Sequence, residues 1–382
     1  VNADGTVNLT PGNSPHLLSG VNSLTESQTA FNRQTAQLML NYAHTFGRSD
    51  VGADLVWEQS STYSRTMGAA KQNFAITEIP DLDFSSEVTP NSVTGYHSRT
   101  GRQGLMFRVN YAYDSRYLVQ ASIRGDWSAK FAAGNRLGIF PAVSLGWRIS
   151  EENFMSGTRS VLDNLKLRVS WGVLGNDGIS DFLYVQGLAL SSAPSAVVNG
   201  KPAQSLSTTS IPNKDISWET TTTYNAGVDL SLWNGKLGFE GDAFYKVTKD
   251  ILQTQAGQQP PSIGGNYPQI VNNGIIDVRG FEAEVSHRNK VREFSYGISA
   301  NVSFARNKYI STNDSENIPS WQSKIGRPLG GVLGYVSDGL FRDEEDLAAS
   351  PKTSDAVRVG DIKYKDINGD GKITAEDRKW IA

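Results

Sequence analysis

The 382-residue chain contains no cysteine. A disulfide scaffold, a thiol nucleophile and a zinc ribbon are therefore excluded. It also lacks long apolar runs. The longest stretch without a polar residue, glycine or proline is Phe182 to Val185, far short of the roughly 18 residues that a membrane helix requires. Helical membrane spans are excluded, but membrane β-strands are not, because they need only alternation. Charge of one sign is scarce: 36 Lys and Arg against 39 Asp and Glu leave a net charge of -3, which gives nucleic acid no basic footprint. Histidine is rare too. His16, His44, His97 and His287 are scattered without ligand spacing. The chain opens Val1-Asn2-Ala3-Asp4-Gly5, and a mature form or a fragment of a longer protein is expected.

What the sequence does have is a period of two. From Thr220 to Leu232 the even positions include Tyr224, Ala226, Val228, Leu230 and Leu232, whereas the odd positions include Asn225, Gly227, Asp229 and Ser231. Asn234-Gly235 follows, the preferred pair for a type I′ hairpin turn. The return strand places Leu237, Phe239, Gly241, Ala243, Tyr245 and Val247 on one face. A two-residue turn fixes register, so Leu232 must oppose Leu237, Leu230 Phe239, Ala226 Ala243 and Tyr224 Tyr245. The same register sets Asp229 against Glu240, and like charges directly opposite require a wet face.

Other hairpins read the same way. Leu40 to Phe46 returns through Gly47 to Asp50 as Val51 to Trp57. Phe107 to Tyr113 returns through Asp114-Ser115-Arg116 as Tyr117 to Ile123. Phe281 to Val285 returns through a turn within Arg288 to Glu293 as Tyr296 to Val302, and Ile139 to Trp147 leads to Leu165 to Val173. About eleven or twelve strands are legible, with strands expected to be missing at both ends. The turns inside hairpins are short. The links between hairpins are long, at 58–102, 174–217, 252–274 and everything after Asn307, with only 128–136 brief. Short turns at one end and long loops at the other characterise outer-membrane β-barrels. Tyr and Trp near strand ends (Trp57, Tyr113, Tyr117, Trp147, Trp233, Tyr245) fit interfacial girdles. Leu230, Phe239, Val109 and Ile123 are predicted to face lipid, and Asn225, Asp242, Arg108 and Arg124 the interior. Arg168, Asp229, Glu240, Glu282 and Glu284 join this hydrated wall. They form no recognisable acid–base pair, and with no P-loop, G-x-S-x-G or H-E-x-x-H in the sequence, no enzymatic activity is expected. Trp321 and Tyr335 are loop aromatics that could stack on sugars.

One contiguous segment carries its own chemistry. Residues 366–377 read DINGDGKITAED. Calcium loops place oxygen ligands at positions 1, 3, 5, 7 and 12, with glycine at 6 for the sharp turn. Those positions are Asp366, Asn368, Asp370, the carbonyl of Lys372, and Asp377, with Gly371 as the turn. Thr374 at position 9 could bind directly or through water. Asp in place of the usual Glu at position 12 makes the loop dockerin-like. A structural calcium ion is the expectation, and an Asp/Gly-rich turn without metal is the alternative.

Specific motifs then point to a family. Within residues 105 to 183 stand LMFRVNYAYDSRYLVQASIRGDWSAKFAAGNRLGIFPAVSLGWRISEENFM and LKLRVSWGVLGNDGISDF. They resemble the barrel of the SusC/RagA-type TonB-dependent outer-membrane receptors of Bacteroidetes, with Trp127 for a common Gly and Ala129 for a common Ser. Trp218-Glu219 with Asn225 to Asp229, Asp242 to Lys246 with Thr248 to Leu252, and Gly326 to Leu329 with Gly334 to Phe341 continue the resemblance. It implies an all-β fold: residues 1–382 as part of a 22-stranded antiparallel transmembrane barrel, its plug domain and TonB box outside this chain, and 308–382 as a long extracellular loop region holding 366–377. It implies location in the outer membrane of a Gram-negative cell, with membrane lipid around the barrel. It further implies uptake of oligosaccharides or peptides, driven by TonB through the plug, with a SusD-type surface lipoprotein as lid. The alternative is a soluble calcium-binding β-protein that binds carbohydrate.

Overall fold

The computed structural model describes residues 22–74, 81–85, 87–191, 195–209, 211–255, 269–314 and 318–381. Its main feature is one antiparallel sheet of ten strands: β1 (Ser23–Phe46), β2 (Ser49–Gln72), β3 (Glu87–Tyr113), β4 (Tyr117–Ser128), β5 (Leu137–Arg148), β6 (Leu162–Asn176), β11 (Glu219–Leu232), β12 (Leu237–Gln255), β13 (Gln269–Val291) and β14 (Phe294–Ser311). Each pairs with its neighbours in chain order, an up-and-down meander. Four short strands stand between β6 and β11: β7 (Leu188–Leu190), β8 (Ala196–Val198), β9 (Lys201–Ala203) and β10 (Leu206–Thr208). After β14 come β15 (Val332–Tyr335), β16 (Ser337–Leu340), the helix α1 (Glu344–Ala349), β17 (Ile362–Tyr364) and β18 (Arg378–Ile381). Among the described residues no helix is long and apolar enough to cross a membrane.

The hairpin register follows from the turn. Leu232↔Leu237, Leu230↔Phe239, Asp229↔Glu240, Ala226↔Ala243 and Tyr224↔Tyr245 are all paired as expected. Asn234 and Gly235 have φ of 55° and 75°, the double left-handed backbone of a type I′ turn. Elsewhere the strands reach closer to the turn than alternation suggested. Gly47-Arg48 alone links β1 to β2, with Asp50 already in the strand and bonded to Thr45 Oγ1 at 2.6 Å. Arg292-Glu293 alone links β13 to β14.

Two compact units make up the chain. One comprises Val1–Gln37, Glu58–Gln103 and Gly187–Thr209. Here the structure corrects the expected long link at 58–102: β2 continues to Gln72 and β3 begins at Glu87. β1 and β2 have 24 residues each, roughly 80 Å of extended chain, far more than the 9–11 residues that cross a bilayer. Their arms are mostly polar on both faces, Phe31, Tyr63 and Met67 apart, and joined by side-chain hydrogen bonds in register, Thr29 to Thr66 at 2.9 Å and Arg33 to Thr62 at 3.3 Å. A strand with water on both sides has no reason to alternate, which is why these arms read as loop. The 187–209 segment of this unit folds into β7 paired with β10 and a β8–β9 hairpin turned by Asn199-Gly200.

The second unit comprises Leu38–Trp57, Gly104–Gln186 and Ser210–Ala382. Its sheet carries an apolar face that none of the described residues covers. Leu40, Ile123, Val169, Ile298, Val302 and Phe304 are each at least half exposed, and no outward apolar residue of β12, β13 or β14 is buried. An apolar surface of this extent marks a membrane or partner-binding face. Leu230, Phe239 and Val285 share this face by register, as do Tyr117 and Trp147 near the short turns.

Candidate functional site

The opposite face is polar and ion-paired. Strand pairing lines up Lys166, Asp229, Glu240 and Glu284 in one row, and Arg168, Gly227, Asp242 and Glu282 in the next. Arg168 Nε donates to both oxygens of Asp229 at 2.9 and 3.1 Å, and its Nη1 and Nη2 donate to Asp242 at 3.2 and 3.0 Å. Its fork thus bridges two carboxylates across Gly227. A Cβ on Gly227 would stand 2.5 Å from Asp242 and 3.0 Å from the guanidinium, so glycine is what allows the bridge. Lys166 Nζ lies 3.8 Å from Asp229. Arg124 pairs with Asp126 at 2.8 Å, while Arg108 Nε is buried with no partner among the described residues. Glu240, Glu282 and Glu284 are exposed and make no ion pair among the described residues. A concavity of about 1020 Å³ has Asn110, Gln120, Ser144, Lys166, Arg168 and Asn225 in its lining. Asp229 and Asp242 are bound to a permanent cation, and Asp50 in the lining accepts the Thr45 hydroxyl at 2.6 Å. The wall presents fixed charge and hydrogen-bonding groups on one face of the sheet.

At the long-loop end, side chains from distant segments close a small core of Phe131, Phe140, Ile216 and Trp218. Trp218 lies 5.2 Å from the Phe131 ring and 5.3 Å from Phe140, and its Nε1 donates to the Arg136 carbonyl at 3.1 Å. Asn135 Nδ2 donates to the carbonyls of Lys214 and Ile216. Lys130 Nζ donates to those of Asp177 and Ile179. Asn272 is bonded in both directions to the Ser217 backbone at 3.0 Å. Glu219 receives Asn176 Nδ2 at 2.7 Å and the Leu252 amide at 2.9 Å. Gly175 lies beneath the Phe140 ring, closer than any side chain could be accommodated. The 174–217 stretch, expected as a free loop, is thus anchored at its root.

At the short-turn end, residues 149–161 carry two 3-10 turns (Ile149–Glu151 and Asn153–Thr158). They bury Glu152, which receives the Tyr117 hydroxyl at 2.5 Å and Trp147 Nε1 at 3.1 Å and faces Arg116 at 3.5 Å. The Tyr117 bond, then the Trp147 bond, hold its carboxyl below the usual carboxylate range. Arg116 reaches on to Asp114, which Arg48 also meets, so three successive connections are laced by charge.

The 366–377 loop is a tight turn with Gly369 and Gly371 at φ of 76° and 79°. Asp366 accepts the amides of Gly369 at 2.7 Å and Gly371 at 2.8 Å. Asp370 accepts the Lys372 amide, and Asn368 Oδ1 the Asp370 amide. Asp377 is fully buried and accepts the amides of Thr374, Ile367 and Asn368. The Thr374 bond leads these in holding its carboxyl below the usual range. Among the described residues no group of three His, Cys, Asp or Glu side chains is arranged to hold a metal. Two of the five expected donors, Asn368 and the Lys372 carbonyl, are neutral oxygens. Nearby, Lys363, the Arg342 amide and Ser350 hold Asp346 down to about 2, fixing α1 to β17. Tyr335 packs 5.2 Å from Tyr364 with Arg378 over its ring, and the Trp321 carbonyl receives Trp380 Nε1. The Tyr335 ring is therefore engaged by its neighbours, whereas Trp321 meets Trp380 through its backbone carbonyl.

Residues 2–375 match the model of the family described as TonB dependent receptor-like, beta-barrel. The chain belongs to this family. It is 30% identical over 303 residues to the TonB-dependent receptor SusC of Bacteroides thetaiotaomicron, which aligns 75% of this chain with 28% of that protein. It is 29% identical over 359 residues to a TonB-dependent receptor of Formosa agariphila, aligning 81% of this chain with 33% of the relative. The chain thus spans about a third of the length of the curated relatives it matches. Among solved structures, the RagAB peptide importer in its closed-closed state superposes with a TM-score of 0.71 at 19% identity, over 97% of this chain and 40% of that one. The RagAB structures establish the fold alone. Members of the TonB-dependent receptor family are barrels of the Gram-negative outer membrane, which assigns the exposed apolar face to lipid. It is a family of receptors and transporters rather than enzymes.

The residues that carry the receptor resemblance coincide with the loop-end core, the turn-end lacing and the ion-paired wall. Phe131, Asn135, Arg136, Phe140, Gly175, Asn176, Trp218 and Glu219 build the loop-end core. Trp147 and Glu152 build the turn-end lacing. Arg168, Asp229 and Asp242 build the ion-paired wall. Sequence reading found the motifs but not their contacts, because residues some 80 positions apart leave no periodic signal.

Proposed function

We propose that the chain is barrel wall of a TonB-driven outer-membrane importer that takes up oligosaccharides or peptides together with a SusD-type surface lipoprotein. The observation that carries this is the pairing of a polar, ion-bridged inner wall with a bare apolar outer face, in a chain 30% identical to SusC. Relatives from Bacteroides and Formosa support a Bacteroidetes setting. The wall supplies exchangeable hydrogen bonds and fixed charge. Binding energy is shared with the lipoprotein lid, and TonB supplies the pull through the plug. No observation favours a soluble carbohydrate-binding protein. The test uses the full-length receptor in its host. Deleting the gene should abolish uptake of one class, oligosaccharide or peptide, to the same extent as deleting TonB, and the tagged receptor should co-purify with a surface lipoprotein. Unchanged uptake of both classes would overturn the proposal.

Orientation follows from the loop lengths, with the short turns periplasmic and the long loops outside. Lys214→Cys is expected to react with an impermeant maleimide on intact cells, and Lys236→Cys, beside the Asn234-Gly235 turn, only after permeabilisation. The reverse pattern would invert the assignment.

We further propose that residues 366–377 take one structural calcium ion through Asp366, Asn368, Asp370, the Lys372 carbonyl and Asp377. The twelve-residue spacing and Gly371 at the sixth position support this. Extracellular sites of this kind bind at about 10⁻⁴–10⁻³ M, so millimolar calcium should protect Arg358, Lys363 and Lys372 from trypsin and chelator should expose them. Asp366→Ala with Asp370→Ala should remove the difference and leave the barrel intact. Cleavage that ignores chelator would make the segment an ordinary turn.

A further inference from the structure

The outward face of the sheet changes character along a single cross-strand row. Trp171, Tyr224 and Tyr245 are directly opposite one another on β6, β11 and β12, and the row then continues as Arg279 on β13 and Arg306 on β14. On the turn side the preceding outward pair is Phe281↔Phe304, both about half exposed. On the loop side the next outward pair is Asp277↔Lys308. The apolar face thus carries an aromatic girdle on three strands and a pair of arginines on two. Girdle aromatics lie at the level of lipid headgroups.

Two arginines directly opposite repel one another, and an anion between them relieves that repulsion. Neither has a carboxylate partner among the described residues, and both are exposed. The one acid at hand, Asp277, is buried and lies 3.9 Å from Lys308 Nζ, so the local balance is three cations to one anion. These groups do not lie on a flat surface. Asp277, Arg279, Arg306, Asn307 and Lys308 line a hollow of about 160 Å³. Gly326 and Pro328 close one side of it, because the segment after β14 folds back: the Tyr309 amide donates to the Arg327 carbonyl at 2.9 Å and the Gly326 amide to the Tyr309 carbonyl at 2.7 Å. Guanidinium forks match the geometry of a phosphate, whose oxygens they bind in bidentate fashion.

We propose that this hollow holds the phosphate of an outer-leaflet lipid headgroup, gripped by Arg279 and Arg306 with Lys308 behind them, its acyl chains lying on Phe281, Phe304 and Val302. The leaflet assignment rests on the loop-outward orientation proposed above. Lipid binding in detergent does not depend on sidedness, whereas the cysteine labelling tests orientation alone, so the two can fail separately.

The experiment uses the full-length receptor in a neutral maltoside detergent, with short-chain phosphatidic acid as probe. Phosphatidylcholine of the same chain length and inorganic phosphate are the competitors. Arg306→Gln should weaken phosphatidic acid binding roughly tenfold and Arg279→Gln with Arg306→Gln further, since a charge-assisted contact is lost each time. Lys246→Gln, which removes a cation stacked 4.7 Å over Phe244 away from this hollow, should leave binding unchanged. Heat-modifiable mobility on gels confirms that each variant is folded, and both arginine side chains are exposed. Unchanged affinity in the double variant would overturn the proposal, as would an equal loss in Lys246→Gln. Displacement of the lipid by inorganic phosphate at equal concentration would make this a free-anion site and overturn the lipid assignment.

Discussion

Arginine at Val228 is expected to cost roughly 2–4 kcal/mol of barrel stability, whereas arginine at Asn225, three residues away on the same strand, should cost far less. Val228 lies between Leu167 on β6 and Gly241 on β12, midway between the outward Leu232 near the turn and Tyr224 in the loop-side girdle. Its side chain is in lipid at mid-depth, where a guanidinium finds neither water nor counter-ion. Asn225 points the other way, into the concavity lined by Ser144, Lys166, Arg168 and Ser170. There an added arginine keeps its water, and Asp242 is within the same wall. Urea unfolding of the full-length receptor in lipid vesicles measures both variants. Equal destabilisation would mean that the two faces are solvated alike, which is incompatible with a membrane barrel.

The contrast shows which parts of the fold could be read from residues alone. β11 and β12 were legible down to individual cross-strand pairs because lipid on one side and water on the other impose a period of two, and Asn234-Gly235 permits one register. The arms of β1, β2 and β3 were not, because stretches such as Ser60 to Thr66 have water on both faces and nothing to alternate against. The 366–377 loop was legible as a pattern because its donors are contiguous. Whether an ion draws them together depends on charges that its own amides already partly satisfy. Arg279 and Arg306 are not legible as a pair for the opposite reason. Each is unremarkable in its own strand, and only the register places them side by side at the girdle.

The other large effect is expected at Trp218. Trp218→Ala should cost about 3–5 kcal/mol, the range for removing a large aromatic from a packed site. The indole is 7% exposed, touches Phe131 and Phe140, and satisfies the Arg136 carbonyl. Alanine would leave a cavity between two rings and remove one of the two hydrogen bonds that the Arg136 carbonyl accepts, the Ser128 amide keeping the other. Trp218→Phe keeps most of the packing and forfeits the hydrogen bond, so its cost should be nearer 1 kcal/mol. The loss is local, because the strands keep their ladder without this core. What it releases is the root of the 177–217 segment, held there by Asn135, Lys130 and Asn272 and by Leu183 packing on the cluster. Chymotrypsin should therefore cut after Phe182 and Tyr184 in Trp218→Ala much faster than in the parent protein, with Trp218→Phe between them, while heat-modifiable mobility persists in all three. If Trp218→Ala resists chymotrypsin as the parent does, the aromatic cluster is not what holds this loop. If heat-modifiability is lost as well, the core is part of the barrel's own stability.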